Sequence, residues 1–240
     1  MSGYLRDNQL RRQLEEKVKE ATRTRQAAED GIKAASAVLD AAKRNDADVT
    51  EAMKPLAEAE SAMGAKDYKL AAEKAEEAKE RGTRIYRDRA RTILGSSEEL
   101  ANLARGVGGD VSEADAALRR SRDALDSDDV TGAIDHAKKA WKRSEKVLLE
   151  HLSSSFSKAQ ALILSAKNLG RDVGPVEDLL SRARSAMEGS DFPAALGFTQ
   201  EGLETITEDL KSVLERRSRR RRTSFGSHRS SGPTRRSPRH

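Results

Sequence analysis

The C-terminal segment is dense in the residue type best suited to phosphate. The stretch from Arg216 to His240 holds ten arginines and contains no Asp, Glu or Lys. A guanidinium group binds phosphate through paired hydrogen bonds and stacks on bases, and Arg-rich segments often fold on RNA. The candidate polyanion-binding residues are Arg216, Arg217, Arg219, Arg220, Arg221, Arg222, Arg229, Arg235, Arg236 and Arg239. An acidic protein surface, including this protein's own body, is a second ligand for the same charge.

Other chemical motifs are absent or have a simpler interpretation. The stretch "ARGVGGD" (104–110) resembles a phosphate-binding loop, but no Lys-Ser/Thr pair follows it. The histidines are never three or four residues apart, as two metal ligands on one helical face would be. There is no cysteine. The carboxylates lie beside Lys and Arg at spacings typical of surface ion pairs. We therefore expect no enzymatic activity, no metal and no cofactor.

Trp141 is the only tryptophan. One interpretation is a packing residue at the edge of a helix seam. The other is an exposed anchor for a partner, because Trp is over-represented among binding hot spots. An Ala-lined groove between long helices is also suited to accept a partner helix.

Composition and charge separate the chain into two parts. Only 36% of the 240 residues are hydrophobic and 3% aromatic, against about 45–50% apolar in an average domain. This favours thin helix seams over a deep sheet core. Since the stretch from Arg216 onward holds ten of the 45 basic side chains and no acid, residues 1–215 hold 35 basic against 40 acidic ones. A mildly acidic body therefore precedes a strongly basic tail, an asymmetry typical of an interaction tail.

No segment of the sequence has the character of a membrane span or a signal peptide. No run of 18 apolar residues occurs, and the N-terminus lacks an apolar core. The tail has one apolar residue of any size, Phe225, which argues against a membrane anchor. The sequence predicts a soluble cytoplasmic protein for which membrane binding is not expected.

An internal repeat with a period of about 62 residues organises the body. Three stretches align without gaps: "DVTEAMKPLAEAESAMGAKDYKLAAEKA", "DVSEADAALRRSRDALDSDDVTGAIDHA" and "DVGPVEDLLSRARSAMEGSDFPAALGFT", which begin at Asp48, Asp110 and Asp172. The stretch "ARGVGGD" aligns with "AKRNDAD" and "AKNLGRD" in the other copies. Because all three occupy one position in the repeat, we interpret the glycine-rich stretch as a connecting turn.

Each repeat is predicted to contain a long and a short helix. The short helices cover about 49–63, 111–125 and 173–187, with Asp48, Asp110 and Asp172 as N-caps. The equivalent residues Asp67, Asp129 and Asp191 are predicted to cap the long helices that follow. Long helices cover about 5–42, 68–105 and 130–167. Whether they break near Gly95 and Ser154 stays open.

The first long helix shows a heptad seam with steps of four and three. The seam consists of Leu14, Val18, Ala21, Arg25, Ala28, Ile32, Ala35, Leu39 and Ala42. No helical unit precedes this helix to cover its seam. Pairing with a second copy of the chain is therefore one expectation.

Two arrangements fit three tandem repeats in an all-α protein. One is an elongated array of bundles that share long helices and is similar to a short spectrin rod; the other is an α-solenoid of stacked hairpins. The stretches "EGSDFPAALGFTQEGLE" and "AKDYKLAAEKAEEA" resemble the entry to a tetratricopeptide helix. This resemblance implies a scaffold that binds proteins.

The sequence thus predicts a helical body over residues 1–215 and a disordered tail over 216–240. The repeats cover about 1–67, 68–129 and 130–191, and a closing helix covers 192–215. The predicted function is a non-enzymatic scaffold for protein–protein interaction. The alternative is a nucleic-acid-associated protein that binds RNA or DNA through the tail.

Overall fold

Seven α-helices form the part of the chain that the computed structural model describes, which is the backbone of residues 2–227 and the side chains of residues 11–216. The helices are α1 (Ser2–Arg44), α2 (Thr50–Gly64), α3 (Tyr68–Gly106), α4 (Ser112–Asp126), α5 (Val130–Asn168), α6 (Gly174–Glu188) and α7 (Phe192–Ser227). No strand occurs within residues 2–227, so the predicted all-α class is confirmed. Within the same residues, no helix is both long and apolar enough to cross a membrane.

The helix boundaries recur at the interval seen in the sequence. The short helices α2, α4 and α6 have 15 residues each and begin at residues 50, 112 and 174. The long helices α3 and α5 have 39 residues each. Both run without a break past Gly95 and Ser154, which answers the question that the sequence left open.

The turns that end the helices share one geometry. A residue with positive φ follows each helix from α1 to α6: Asp46, Gly108 and Gly170 after long helices, and Lys66, Asp128 and Ser190 after short ones. The next N–H donates to a carbonyl five residues earlier, as in the bonds from Ala47 to Ala42, Gly109 to Ala104 and Arg171 to Ala166, at 3.0–3.1 Å. This is the Schellman pattern. The glycine-rich stretch at 104–110 is therefore a helix-ending turn.

The aspartates cap the helices in two ways. Before the long helices, the carboxylates accept from the third residue of the helix, as Asp67 does from Leu70 N at 3.1 Å. Before the short helices, the expected position is wrong by one residue, because Val49, Val111 and Val173 occupy the N-cap. Asp48 still accepts bonds from the Thr50 hydroxyl and N–H. These bonds hold the pKa of Asp48 below its usual range.

The chain divides into two compact units. Unit 1 holds the described residues up to 102 together with 111–144, and unit 2 holds 103–110 together with those from 145 onward. One hydrophobic cluster of unit 1 consists of Leu39, Ala42, Val49, Ala52, Tyr86, Ala90, Val130 and Ile134. Here α1 and α3 approach closely, since a Cβ at Gly82 would lie 2.7 Å from Leu39 Cδ2.

The seam of α1 is buried only in its C-terminal half. Ala28, Ala35, Leu39 and Ala42 are buried, whereas Leu14 is 55% and Val18 63% exposed. No neighbouring helix covers this N-terminal half in the described part of unit 1. The expectation of a second copy at this face stays a prediction.

Unit 2 contains large buried apolar side chains and a bidentate ion pair between Arg171 and Asp209. Phe192, Leu148, Leu152 and Ile206 are fully buried in it. Arg171 donates to both carboxylate oxygens of Asp209 from one edge of its guanidinium group, with Nε 2.7 Å from Oδ2 and Nη2 beside Oδ1. These hydrogen bonds hold the pKa of Asp209 below its usual range.

The last helix extends further than the sequence predicted. The α7 backbone is helical to Ser227, beyond residue 215, where the sequence placed the end of the closing helix. Arginine is among the better helix formers, which accounts for the extension through the Arg-rich stretch. Residues 228–240 lie outside the described residues, so the disorder expected there stays a prediction.

The exposure of α1 predicts different outcomes for two matched substitutions. Leu39→Asp buries an unpaired charge and removes core packing, so unit 1 should lose about 3 kcal/mol or more of stability. Leu14→Asp lies on the exposed half and should change stability by about 0.5 kcal/mol or less in a monomer. Denaturant unfolding followed by circular dichroism measures both. Equal losses would contradict the packing described for α1.

Candidate functional site

One face of α3 in unit 1 carries a cation, an apolar side chain and three hydroxyl groups. Arg89, Thr92, Ile93, Ser96 and Ser97 are spaced by three and four residues, which places them on one side of the helix. Ser97 is fully buried, Arg89, Ile93 and Ser96 are half-buried, and Thr92 is exposed. This face forms one wall of a groove.

The opposite wall belongs to α5. Lys138, Trp141 and Lys142 have the same three- and four-residue spacing, so their side chains share a face. Trp141 is half-buried, and both lysines are exposed. The indole therefore presents part of its surface to solvent between two ammonium groups.

Small side chains let the two helices approach closely enough to form this groove. Ala137, Ala140 and Ser97 have no exposed surface. The Ser97 hydroxyl lies 3.0 Å from the carbonyl oxygen of Ala137 on α5 and 2.8 Å from that of Ile93 on its own helix. Because the contact is made by small residues, the larger Trp141 is placed at the edge of the seam.

The turn between α1 and α2 holds two of the groove's cations. Arg89 Nε donates to the backbone oxygen of Asn45 at 2.6 Å, and Lys138 Nζ donates to the Asn45 side-chain oxygen at 2.7 Å. Asp46, which is 90% exposed, lies 3.9 Å from Arg89. Lys142 makes no ion pair among the described side chains. The Asn45 contacts position charge without neutralising it.

We call this site the Trp141 groove. It is lined by Arg89, Thr92, Ile93, Ser96, Ser97, Lys138, Trp141 and Lys142, and it encloses about 350 Å³. The lining holds three cations and no carboxylate. Its volume is at the lower end of the range for ligand pockets, about 300–1,000 Å³. The groove offers an apolar contact surface within a positive rim.

Two other surface depressions have a different character. In unit 1, a depression on α3 is lined by four cations and three carboxylates, among them Glu76, Lys79 and Arg84. In unit 2, a groove of about 430 Å³ includes Ile163, Leu164 and Leu180 and is bridged by Lys167 and Glu177 at 2.7 Å. Both linings contain carboxylates, which the lining of the Trp141 groove does not. Among the described side chains, no three His, Asp or Glu residues converge as a metal ion would require.

Among the residues that the sequence singled out, the structure describes the side chains of Trp141 and Arg216 and not those of the other tail arginines. Trp141 is at the edge of the α3–α5 seam, as the packing interpretation holds, and is also accessible, as the anchor interpretation requires. Arg216 is exposed on α7. The side chains of Arg217, Arg219, Arg220, Arg221, Arg222, Arg229, Arg235, Arg236 and Arg239 lie outside the described residues.

Sequence reasoning did not identify the cations around Trp141. Lys138 and Lys142 are its helical neighbours, but Arg89 lies far away in sequence and is brought close only by helix packing. A comparison of equivalent positions in the repeats could have identified the two lysines as unusual. One repeat earlier, the positions of Lys138 and Lys142 hold Glu76 and Glu80, so the charge of this position is inverted.

The comparisons with known proteins identify no relative. No protein-family model matches the chain, and neither a curated protein nor a solved structure matches it.

The electrostatics of the groove can be measured through its own tryptophan. Because Trp141 is the sole tryptophan and is surrounded by cations, iodide should quench its fluorescence more strongly than caesium does. Lys142→Glu should reduce the iodide quenching constant by about half at low salt, where charges act over about 10 Å or more.

A matched control is Lys69→Glu, near the start of α3. It makes the same charge change at a distance of about 30 Å from Arg89 along the helix, at a rise of about 1.5 Å per residue. It should leave the quenching unchanged. Equal quenching by iodide and caesium in the unsubstituted protein would contradict a positive groove.

Proposed function

We propose that this protein is a non-enzymatic helical scaffold that binds a protein partner at the Trp141 groove. The observation that carries the proposal is the placement of a half-buried Trp141 beside Ile93, within a rim of cations. Trp and Arg are the residues most enriched at binding hot spots. A partner that covers the indole removes its remaining apolar surface from water, which stabilises the complex.

The chemistry of the groove lining favours a binding surface over a reaction centre. The hydroxyl groups of Thr92 and Ser97 are paired with backbone oxygens. A nucleophile or a general base needs a second titratable group within hydrogen-bond reach. The lining contains lysine, arginine, serine and threonine but no His, Asp or Glu to act as that base.

The proposed arrangement is three tandem repeats of a long and a short helix, either as an array of bundles or as an α-solenoid. The recurrence of helix boundaries at a constant interval supports it. In repeat proteins each unit packs on its neighbours and leaves extended surfaces for partners. The resemblance of the α3 and α7 entries to tetratricopeptide helices supports the same role. A cytoplasmic location stays a prediction from the sequence.

Site-specific photo-cross-linking tests the proposed partner site. A benzophenone side chain at Thr92, which lines the groove and is exposed, should cross-link one discrete protein that mass spectrometry identifies. The same side chain at Thr205, an exposed threonine on α7, should not capture that protein. Titration of the purified partner then gives the affinity.

Trp141→Ala should weaken that affinity about 30-fold, as expected for a hot spot of about 2 kcal/mol. Trp141→Phe keeps part of the apolar contact and should lose less. Circular dichroism melting curves of both variants control for unfolding of unit 1. An affinity that is unchanged in a folded Trp141→Ala variant would contradict the proposal.

A second candidate function is supported by the charge asymmetry of the chain. The ten arginines from Arg216 to Arg239 follow a body in which acidic residues outnumber basic ones. This pattern favours binding of the tail to RNA or DNA, where arginine pairs with phosphate.

The salt dependence of binding tests this candidate. If all ten arginines contact phosphate, log K should fall with log salt concentration with a slope of up to about −7 to −9. Replacing the ten arginines by glutamine in the full-length chain should abolish the binding. A full-length protein that shows no salt-sensitive binding to RNA or DNA would exclude this function.

A further inference from the structure

We propose that the Trp141 groove binds an acidic segment of its protein partner, in which carboxylates flank an apolar or aromatic side chain. This inference rests on the proposed scaffold function and adds the chemistry of the ligand. Three features of unit 1 carry it: the inverted charge of the groove, the placement of its cations, and the mixed charge of the surrounding helices.

Helix packing does not require the positive charge of the groove. One repeat earlier, α3 holds Glu76 and Glu80 where α5 holds Lys138 and Lys142, and it holds Lys79 in place of Trp141. Both helices are 39 residues long and begin at equivalent positions. The same position in the repeat therefore accepts either sign of charge. The lysines and the tryptophan are features of this groove and not of the repeat.

The cations lie on both walls around an apolar centre. Arg89 is on the α3 wall, and Lys138 and Lys142 are on the α5 wall, while Ile93 and Trp141 supply the apolar surface. An occupant complementary to this layout places an apolar side chain against Ile93 and Trp141. Its carboxylates then meet ammonium and guanidinium groups on either side. The volume of about 350 Å³ suits a few side chains of a peptide.

Of the three cations that line the groove, Lys142 is the one without an ion-pair or hydrogen-bond partner among the described side chains. Arg89 and Lys138 already donate to Asn45. Lys142 is exposed and has no ion-pair partner among the described side chains. A carboxylate that binds it therefore displaces no existing ion pair. Charge complementarity across an interface mainly raises specificity and association rate.

The surroundings disfavour a polynucleotide as the occupant. A phosphate backbone presents regularly spaced charge and requires an extended basic track. Exposed carboxylates flank the groove in sequence on both walls, including Asp88 on α3 and Asp135 on α5. The chain's own tail is equally unsuited, since residues 216–240 contain no acidic side chain. A short acidic peptide needs only the local cluster of Arg89, Lys138 and Lys142.

Fluorescence titration of the full-length protein tests the proposal. The probe is a blocked octapeptide in which a Leu-Phe pair is flanked on each side by three acidic residues. Its counterpart has Gln and Asn in place of the acids, and a ten-nucleotide oligothymidylate serves as the third ligand. Because Trp141 is the sole tryptophan, a saturable change in its emission reports occupancy of the groove directly.

We expect saturable binding of the acidic peptide that weakens as salt is added. Lys142→Glu should weaken it about three- to tenfold, as expected for the loss and reversal of an exposed charge pair. Lys69→Glu, with the same charge change at a distance, should leave the affinity unaltered. The neutral peptide should bind more weakly, with little dependence on salt.

The results that would overturn this inference differ from the result that would overturn the proposed function. A neutral peptide that binds as tightly as the acidic one, or an oligothymidylate that binds more tightly, overturns the inference. So does a change in Trp141 emission that follows protein concentration without any ligand, which would mean that a second copy fills the groove. If no peptide binds although Thr92 cross-links a partner, the inference fails and the proposed function stands. If Thr92 cross-links nothing, the proposed function itself fails.

Discussion

Close approach between helix backbones at small buried residues is the constraint on which the described structure depends. Ala28, Ala35 and Ala42 recur at heptad spacing along α1 and have no exposed surface. An alanine seam buries little apolar area for each residue, so its stability comes from many short-range contacts along long helices. A larger side chain on such a seam must find space at a glycine, as Leu39 does opposite Gly82.

This constraint places the candidate site on the surface of the helices. A seam of small, closely packed residues leaves little room between the helices for a large side chain. It does leave edges where a residue too large for the seam stays half-exposed. Trp141 occupies such an edge, and the hydroxyl of Ser97 bridges α3 and α5 beside it. The charges available to the site are those of the exposed helix faces, so its specificity depends on which cations the packing brings together.

The turns illustrate how much of the fold follows from local sequence. Positive φ at Asp46, Gly108 and Gly170 is favoured by the residue types themselves, because Gly, Asp and Asn tolerate this region best. The helix starts were located to within one residue from the aspartates, and the error arose because valine fills the N-cap before each short helix. The burial along α1 was less predictable. Its heptad pattern continues through Leu14 and Val18, but a pattern cannot show whether a partner helix is present.

The sequence by itself determined that the chain is helical, where the turns between its helices lie, and that these turns recur at a constant interval. Hydrophobic periodicity, capping and turn residues act over a few positions and are therefore visible in one dimension. Only the tertiary structure decided which side chains share a site. Arg89 joins Lys138 and Trp141 because small buried residues let α3 and α5 approach, and the contact between residues so far apart in sequence depends on packing geometry that no local pattern encodes.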